Sequence, residues 1–419
     1  MTSAVTAAAA GRTATPTTAR LINDRLAFDL LLDRGPLTRA QLRALTGLSG
    51  PTVAELVHRL EAAGLVAPVG EAGTERRGPN ATLYGVVAER AFVAGVEVRP
   101  DRVVAVLADA TGRQVGGASV PQDPGVAPDL IVGAAVDGAL IDAGLADAGR
   151  VDAAGADAGR VDAGCIDDRL RMVVVGTPGL VDPATGDLSF VASLPTWHAN
   201  VLPGLRRRYT SRVLLENEVN LAALAEHRLG AARGRDTFAL LWLDTGIGAA
   251  VVLGGELLRG ASGGVGELAY LPTSAGRFQE AAGGAAVEEL AARHLRGAPD
   301  PRHRQVGDGM PSPGALVAAA AESGAVHGSP AAAFLDALAD RVVAGAAAIC
   351  AVLDPGYLVL AGGVGRSGGE HLAHRVAERL ADVVPLPTSV VPATVAESPV
   401  LRGAVLVALD RVHRDTFAR

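Results

Sequence analysis

Between residues 21 and 60 apolar side chains recur at helical spacing, and from Phe92 the pattern changes to short β runs. Leu21, Leu26, Leu30 and Leu31 mark a first helix that stops at Arg34-Gly35-Pro36. Thr38 with Gln41 forms a capping box for a second helix, whose Leu42 and Leu45 face inward and whose end is the tight turn at Gly47. A third helix takes Ser49 as its cap and Pro51 in its first turn, where a missing N–H costs little. It carries Val53, Leu56, Val57 and Leu60 inside, closes at Gly64, and leaves Thr52, Glu55, His58 and Arg59 on or near the outer side. Two short strands, 65–67 and 82–86, flank the polar loop 71–80.

Beyond Phe92 the pattern predicts an α/β body. Runs 92–98, 103–108 and 114–120 read as three consecutive strands, followed by a helix over 128–140. Further strands are expected at 172–176 and 213–215, the latter running straight into a helix. The runs 240–243 and 247–253 flank Asp244-Thr245-Gly246 and read as two strands joined by a tight turn whose bare N–H groups offer themselves to an anion. A long apolar helix over 330–352, a strand over 389–391 and a helix from Val400 complete the pattern. Residues 142–168, in which DAGRVDA occurs twice among Ala and Gly, are too small and polar to pack and form a surface insert.

With 419 residues, two or three domains are expected. The assignment is a tail over 1–20, a small helical domain with two short strands over 21–86 and an α/β body over 87–419. A net charge of −7 argues against global attraction to nucleic acid, so DNA binding must come from a local basic surface. All of the chain's basic side chains besides histidine are arginines. The absence of a long charge-free apolar run speaks against a membrane span, and the start of the chain lacks the pattern of a signal peptide, so a cytoplasmic protein is expected. Cys165 and Cys350 cannot make a thiolate metal site, and neither a metal nor a cofactor is expected.

Helix, short helix, glycine turn and helix make a helix-turn-helix, whose last helix enters the major groove through its N-terminal residues. A generic three-helix bundle is the alternative. The segment after the third helix favours DNA, because the loop 71–80 with Arg76, Arg77, Gly78, Pro79 and Asn80 resembles the wing of a winged helix. The expected DNA-facing set is therefore Ser49, Pro51, Thr52, Glu55, His58 and Arg59 on the third helix, with Arg76 to Asn80 in the wing.

The order TGIG, GGELLRGASG, GEL over residues 245–268 resembles the ROK family of repressors, open reading frames and kinases, one branch of the actin-like, sugar-kinase-like fold. Thr177-Pro178-Gly179 resembles that family's Gly-x-Pro-Gly loop beside the sugar. The run from Glu216 to Glu226 resembles its Glu-Asn-Asp-x-Asn-x-x-Ala-x-x-Glu motif, and Asp354 to Val364 its Leu-Asp-Pro, strand, glycine segment. The resemblance covers about residues 21–411 except the insert and a zinc knuckle, whose cysteines are absent. It implies a two-lobed body and a winged-helix transcriptional regulator, a repressor, acting on double-stranded operator DNA as a homodimer or homotetramer. It also implies a sugar or sugar derivative held by Gly179, Asn217, Glu218, Glu267, Tyr270 and Glu280. Tyr270 stands in place of a sugar-binding histidine, so binding should vary little between pH 6 and 8 on that account. Asn217 read alone is also a helix N-cap, and Glu280 is equally a first-turn acid of a helix over 279–296.

The first hairpin departs from the family's kinases. Where they carry Asp-x-Gly-x-Thr against ATP phosphates, this chain has Glu97-Val98-Arg99-Pro100-Asp101, without the glycine and threonine and with a proline that removes an N–H. No catalytic residue and no enzyme activity are assigned on that ground. The rival readings are an active sugar kinase carrying a DNA-binding domain and a regulator whose sugar site has decayed.

Overall fold

The computed structural model describes residues 16–72, 81–146, 168–190, 201–209, 212–295 and 311–418. The N-terminal domain is built from α1 (Pro16–Arg34), β1 (Leu37–Thr38), α2 (Arg39–Thr46), α3 (Gly50–Ala62), β2 (Val66–Ala72) and β3 (Ala81–Val86), with the strands ordered β1-β3-β2. The expected caps form: Thr38 and Gln41 make the box, Gly47 ends α2 at φ +70°, and Ser49 receives the Thr52 N–H. Helix α1 begins at Pro16, so the tail drawn over 1–20 is too long by the start of this helix. Its inner stripe is Ala27, Phe28 and Leu31 rather than Leu26, which is exposed, as is Leu45 on α2. Leucine count misled there, because Phe28 fills more of the core than its flanking leucines. Val53, Leu56, Val57 and Leu60 are buried as expected and share the core with Leu42, Val66 and Tyr84. The wing residues Arg76, Arg77, Gly78, Pro79 and Asn80 lie outside the described residues, as does Cys165 and most of the 142–168 insert.

The body contains two sheets of the same plan. The first half has β4 (Phe92–Val98), β5 (Arg102–Asp109), β6 (Gln114–Pro121), α4 (Pro128–Asp142), β7 (Leu170–Thr177), β8 (Leu180–Val181), β9 (Leu188–Phe190), α5 (Val201–Arg208), β10 (Arg212–Asn217) and α6 (Glu218–Leu229). The second has β11 (Phe238–Leu243), β12 (Ile247–Leu253), β13 (Glu256–Leu258), β14 (Pro272–Thr273), β15 (Gly276–Arg277), α7 (Phe278–Ala282), α8 (Gly284–His294), α9 (Pro313–Glu322), α10 (Pro330–Leu353), β16 (Tyr357–Ala361), α11 (Gly362–Val383), β17 (Ser389–Pro392) and α12 (Pro399–Thr416). The helix expected over 279–296 is two, parted at Gly283.

The orders β6-β5-β4-β7-β10 and β13-β12-β11-β16-β17 are the same arrangement twice: an antiparallel meander whose first strand is extended sideways by two parallel strands. Parallel strands need helical crossovers, which is why their sequences read as unbroken apolar runs between helices. Helix α6 lies between the halves. Its Leu221 joins the core of β4, β7 and α12, while Val219 and Ala223 join that of β11, β12 and β16. Helix α12 covers the outer face of β4 and β7, and its last residues return to the N-terminal domain, where Phe417 packs on that domain's core.

Candidate functional site

On α3 the expected DNA-facing residues divide. Pro51, Glu55 and His58 are exposed, and the Ser49 hydroxyl is 2.8 Å from that of Thr52, so the helix start is open to a partner. Arg59 is not free. Its Nε and NH2 donate to the two oxygens of Asp24 on α1 at 3.0 and 2.5 Å, and Asp24 is buried. A buried carboxylate requires such a partner, so Arg59 joins α3 to α1, and a DNA contact by Arg59 would have to share its guanidinium with that pair. Asp24 was missed, although an acid three residues from Leu21 and Ala27 on one helical face is a signal for a buried pair.

Between the halves lies a cavity of about 1010 Å³. It collects residues from both: Glu97 and Arg99 from the first hairpin, Gly179, Asn217 and Glu218 from the first half, and Asp244, Glu267, Tyr270 and Glu280 from the second. All six sequence-assigned ligand residues therefore line one space. They are not equally available to a ligand.

Asn217 caps α6: its Oδ1 accepts the N–H groups of Val219 at 2.8 Å and Asn220 at 3.3 Å, and its Nδ2 donates to the Gly179 carbonyl at 2.9 Å. The capping alternative thus describes its oxygen, and only one amide hydrogen is left over for hydroxyl recognition. Gly179, at φ +104°, supplies the carbonyl that fixes that amide. Glu280 accepts the Arg277 N–H at 2.9 Å at the start of α7 and is exposed, so its first-turn role is met. Tyr270 is half-exposed, with the Arg277 guanidinium 5.7 Å from its ring centroid.

Glu218 and Glu267 differ from these. Neither carboxyl has a hydrogen-bond partner among the described residues. Burial pushes Glu218 up to about 8, with the facing carboxylates Glu97 and Asp244 adding to the shift, and burial alone raises Glu267. Near neutral pH Glu218 is therefore a protonated acid that donates as well as accepts. Loss of a histidine removes one group that titrates near neutral pH, and Glu218 in the cavity is a second group placed to titrate there.

The turn 244–246 is not a bare anion cradle. The Thr245 N–H donates to its neighbour Asp244 and that of Ile247 to Gln279 Oε1, whose Nε2 returns to the Thr245 carbonyl at 2.8 Å. Asp244 Oδ2 accepts the Gly363 N–H at the start of α11 at 2.7 Å, so a carboxylate of the chain occupies the helix terminus where a phosphate is favoured. In the first hairpin Arg99 reaches Glu97 at 2.7 Å and Ser398 at 3.4 Å.

The ROK family model matches residues 165–411, over half of the chain, and a MarR family model matches residues 26–77. The chain belongs to the ROK family. This ROK protein is 40% identical to the glucokinase of Thermotoga maritima over 100 residues, 24% of the chain and 32% of that enzyme. It is 23% identical to the xylose repressor of Bacillus subtilis over 250 residues, 60% of each. The chain thus spans less than two thirds of the curated relatives it matches. Its fold follows that of a solved ROK family transcriptional regulator, a homologue of E. coli MLC protein, with TM-score 0.68 at 18% identity over 95% of this chain and 98% of that one. A ROK hexokinase from Thermus thermophilus matches with TM-score 0.56 at 25% identity, over 77% of this chain and 99% of that one. The hexokinase covers a smaller share of this chain than the regulator does.

Proposed function

We propose that this ROK protein is a DNA-binding transcriptional repressor whose operator affinity is set by a sugar or sugar derivative bound between the halves of its body. The observation that carries this reading is helix α12. Ser398 and Pro399 at its start rim the cavity, and eighteen residues later, about 27 Å along a helix, its end is lodged in the winged-helix domain. There His413 and Phe417 pack on Phe28 with ring centroids at 5.2 and 5.4 Å, and His413 Nε2 is 3.2 Å from the Ala110 carbonyl. A ligand that favours one arrangement of the halves shifts α12, and through it the pose of α3. A homodimer would present two such helices at a spacing that fits or misfits a pseudo-palindromic operator. The similarity to a xylose repressor and to the NagC dual regulator of Escherichia coli agrees with this reading.

The test is selection of DNA by the purified full chain from sheared genomic fragments, followed by titration of the recovered sequence against a scrambled one. Preference of at least about 1000-fold, the lower range for specific regulators, supports the reading; enrichment of no sequence overturns it. The kinase reading is favoured by the 40% identity to a glucokinase. Against it stand Pro100, which removes an N–H from the first hairpin, and the Glu97–Arg99 and Asp244–Gly363 contacts, which engage donors within the chain.

A further inference from the structure

After β13, at the edge of the second sheet, the chain forms a strap over residues 259–266 that ends at Glu267 in the cavity wall. Gly260, Gly263 and Gly266 all have positive φ, at +76°, +78° and +91°. At Gly263 a side chain would collide with the Val181 carbonyl, so the strap crosses from the second half onto β8 of the first. Its far end is held to its own half, where the Gly266 carbonyl accepts the Ala249 N–H at 2.8 Å. At its near end Arg259 Nε and NH2 donate to Glu216 Oε2 at 3.0 and 2.7 Å.

Glu216 closes β10 and is buried; its other oxygen accepts the Asn217 N–H at 3.1 Å and Asn220 Nδ2 at 3.0 Å. One carboxylate therefore joins the strap that delivers Glu267 to the strand end that delivers Asn217 and Glu218. Arg259 and Glu216 themselves do not line the cavity. We propose that Arg259 is a positioning residue: acting through Glu216, it holds the two walls of the ligand cavity, one from each half, in register, and the pair must part for the halves to separate. The inference rests on the reading of the cavity as the ligand site. The geometry favours a latch over an ordinary surface pair because Glu216 is buried and fully coordinated, whereas Arg259 is 41% exposed and can leave into water.

The experiment uses the full chain without DNA or sugar. Arg259→Gln, Glu216→Gln, the double variant and Arg259→Lys are compared by amide hydrogen exchange over 259–267 and by melting temperature against pH. Loss of a hydrogen bond to a charged group should speed exchange over 259–267 about tenfold in each Gln variant, no further in the double, with part recovered by Lys. The fall in melting temperature expected of the parent across pH 5 to 8.5, with Glu97 and Asp244 facing Glu218, should shrink in Arg259→Gln as the enclosure loosens. Unchanged exchange over 259–267, additive effects of the two Gln variants, or an intact pH profile beside a lowered melting temperature would each overturn the latch. Arg259→Gln keeps the test decisive should Glu216→Gln fail to fold. No ligand is used, so an empty sugar panel would remove the effector reading and leave this result standing.

Discussion

Glu218 keeps its proton to about pH 8 because protein walls and the carboxylates of Glu97 and Asp244 disfavour its charge. Since its folded-state pKa lies above the usual glutamate value, the folded state holds more protons than the unfolded one between the two, and stability falls as pH rises across that window. The melting temperature should therefore drop from pH 5 to pH 8.5, and Glu218→Gln should flatten the drop; a Gln variant with the parental slope would show that other groups set it. A second expectation concerns Arg59. Arg59→Ala strands the buried Asp24 carboxylate and should cost about 2 kcal/mol by urea unfolding, below the roughly 3–5 of a fully enclosed pair because Arg59 is partly solvated. A cost within about 0.5 kcal/mol, the range of ordinary surface changes, would show that the pair contributes little and leave Arg59 free for DNA. Periodicity placed Arg59 near the outer face correctly. What it does not encode is reach: a long side chain at the edge of a helical stripe can turn toward solvent or toward a neighbouring helix, and the choice depends on Asp24, thirty-five residues away.

At the scale of elements, strong periods are legible in the sequence. The capping box at Thr38, the α3 stripe, the first meander, the hairpin of β11 and β12, and the long helix α10 all follow from local pattern, and the structure places each within a few residues of its expected bounds. The two roles of α6 and α12 were not legible. Burial of Leu221 on one side and Val219 and Ala223 on the other depends on two sheets distant in sequence, and contact between Phe28 and Phe417 joins the ends of the chain. The α12 contact gives a direct expectation. Phe28→Ala, at a fully buried site, should destabilise the winged-helix domain by about 3–5 kcal/mol, and Phe417→Ala by less because that ring is only partly enclosed. If α12 transmits ligand state, Phe417→Ala should also leave DNA affinity indifferent to any sugar that shifts the parent; retained response would assign transmission elsewhere. For the wing, changing Arg76 and Arg77 to Ala should weaken specific and non-specific binding alike and lower the salt slope by about one for each phosphate no longer neutralised. An unchanged slope would place those arginines off the DNA.

The molecule as a whole carries a kinase-like body whose cavity wall engages several of its own donors while two of its carboxyls lack partners among the described residues. Arg99 pairs with Glu97, Asp244 takes the Gly363 N–H at the α11 start, and Gln279 ties the 244–247 turn, so these donors are already engaged within the chain. Coupled ADP release over hexoses and aminosugars should accordingly stay well below about 1 per second, the lower range for kinases, and turnover at that rate would restore the kinase reading. Glu218 and Glu267 enter the same cavity without partners among the described residues, and half-buried carboxyls in that state have lost solvation that a polyhydroxylated ligand would replace. A sugar at 100 times its dissociation constant should stabilise the full chain by about 2.7 kcal/mol. Because protonated Glu218 donates to one hydroxyl while accepting from another, that stabilisation should weaken as pH passes 8 and the donor is lost. Glu267→Gln should abolish the shift with DNA binding intact, since Glu267 lies in the body and α3 in the separate N-terminal core. A panel of neutral sugars, aminosugars and sugar phosphates that produces no shift at any pH would replace this expectation with a site that has lost its ligand, leaving a regulator whose halves are fixed by their own contacts.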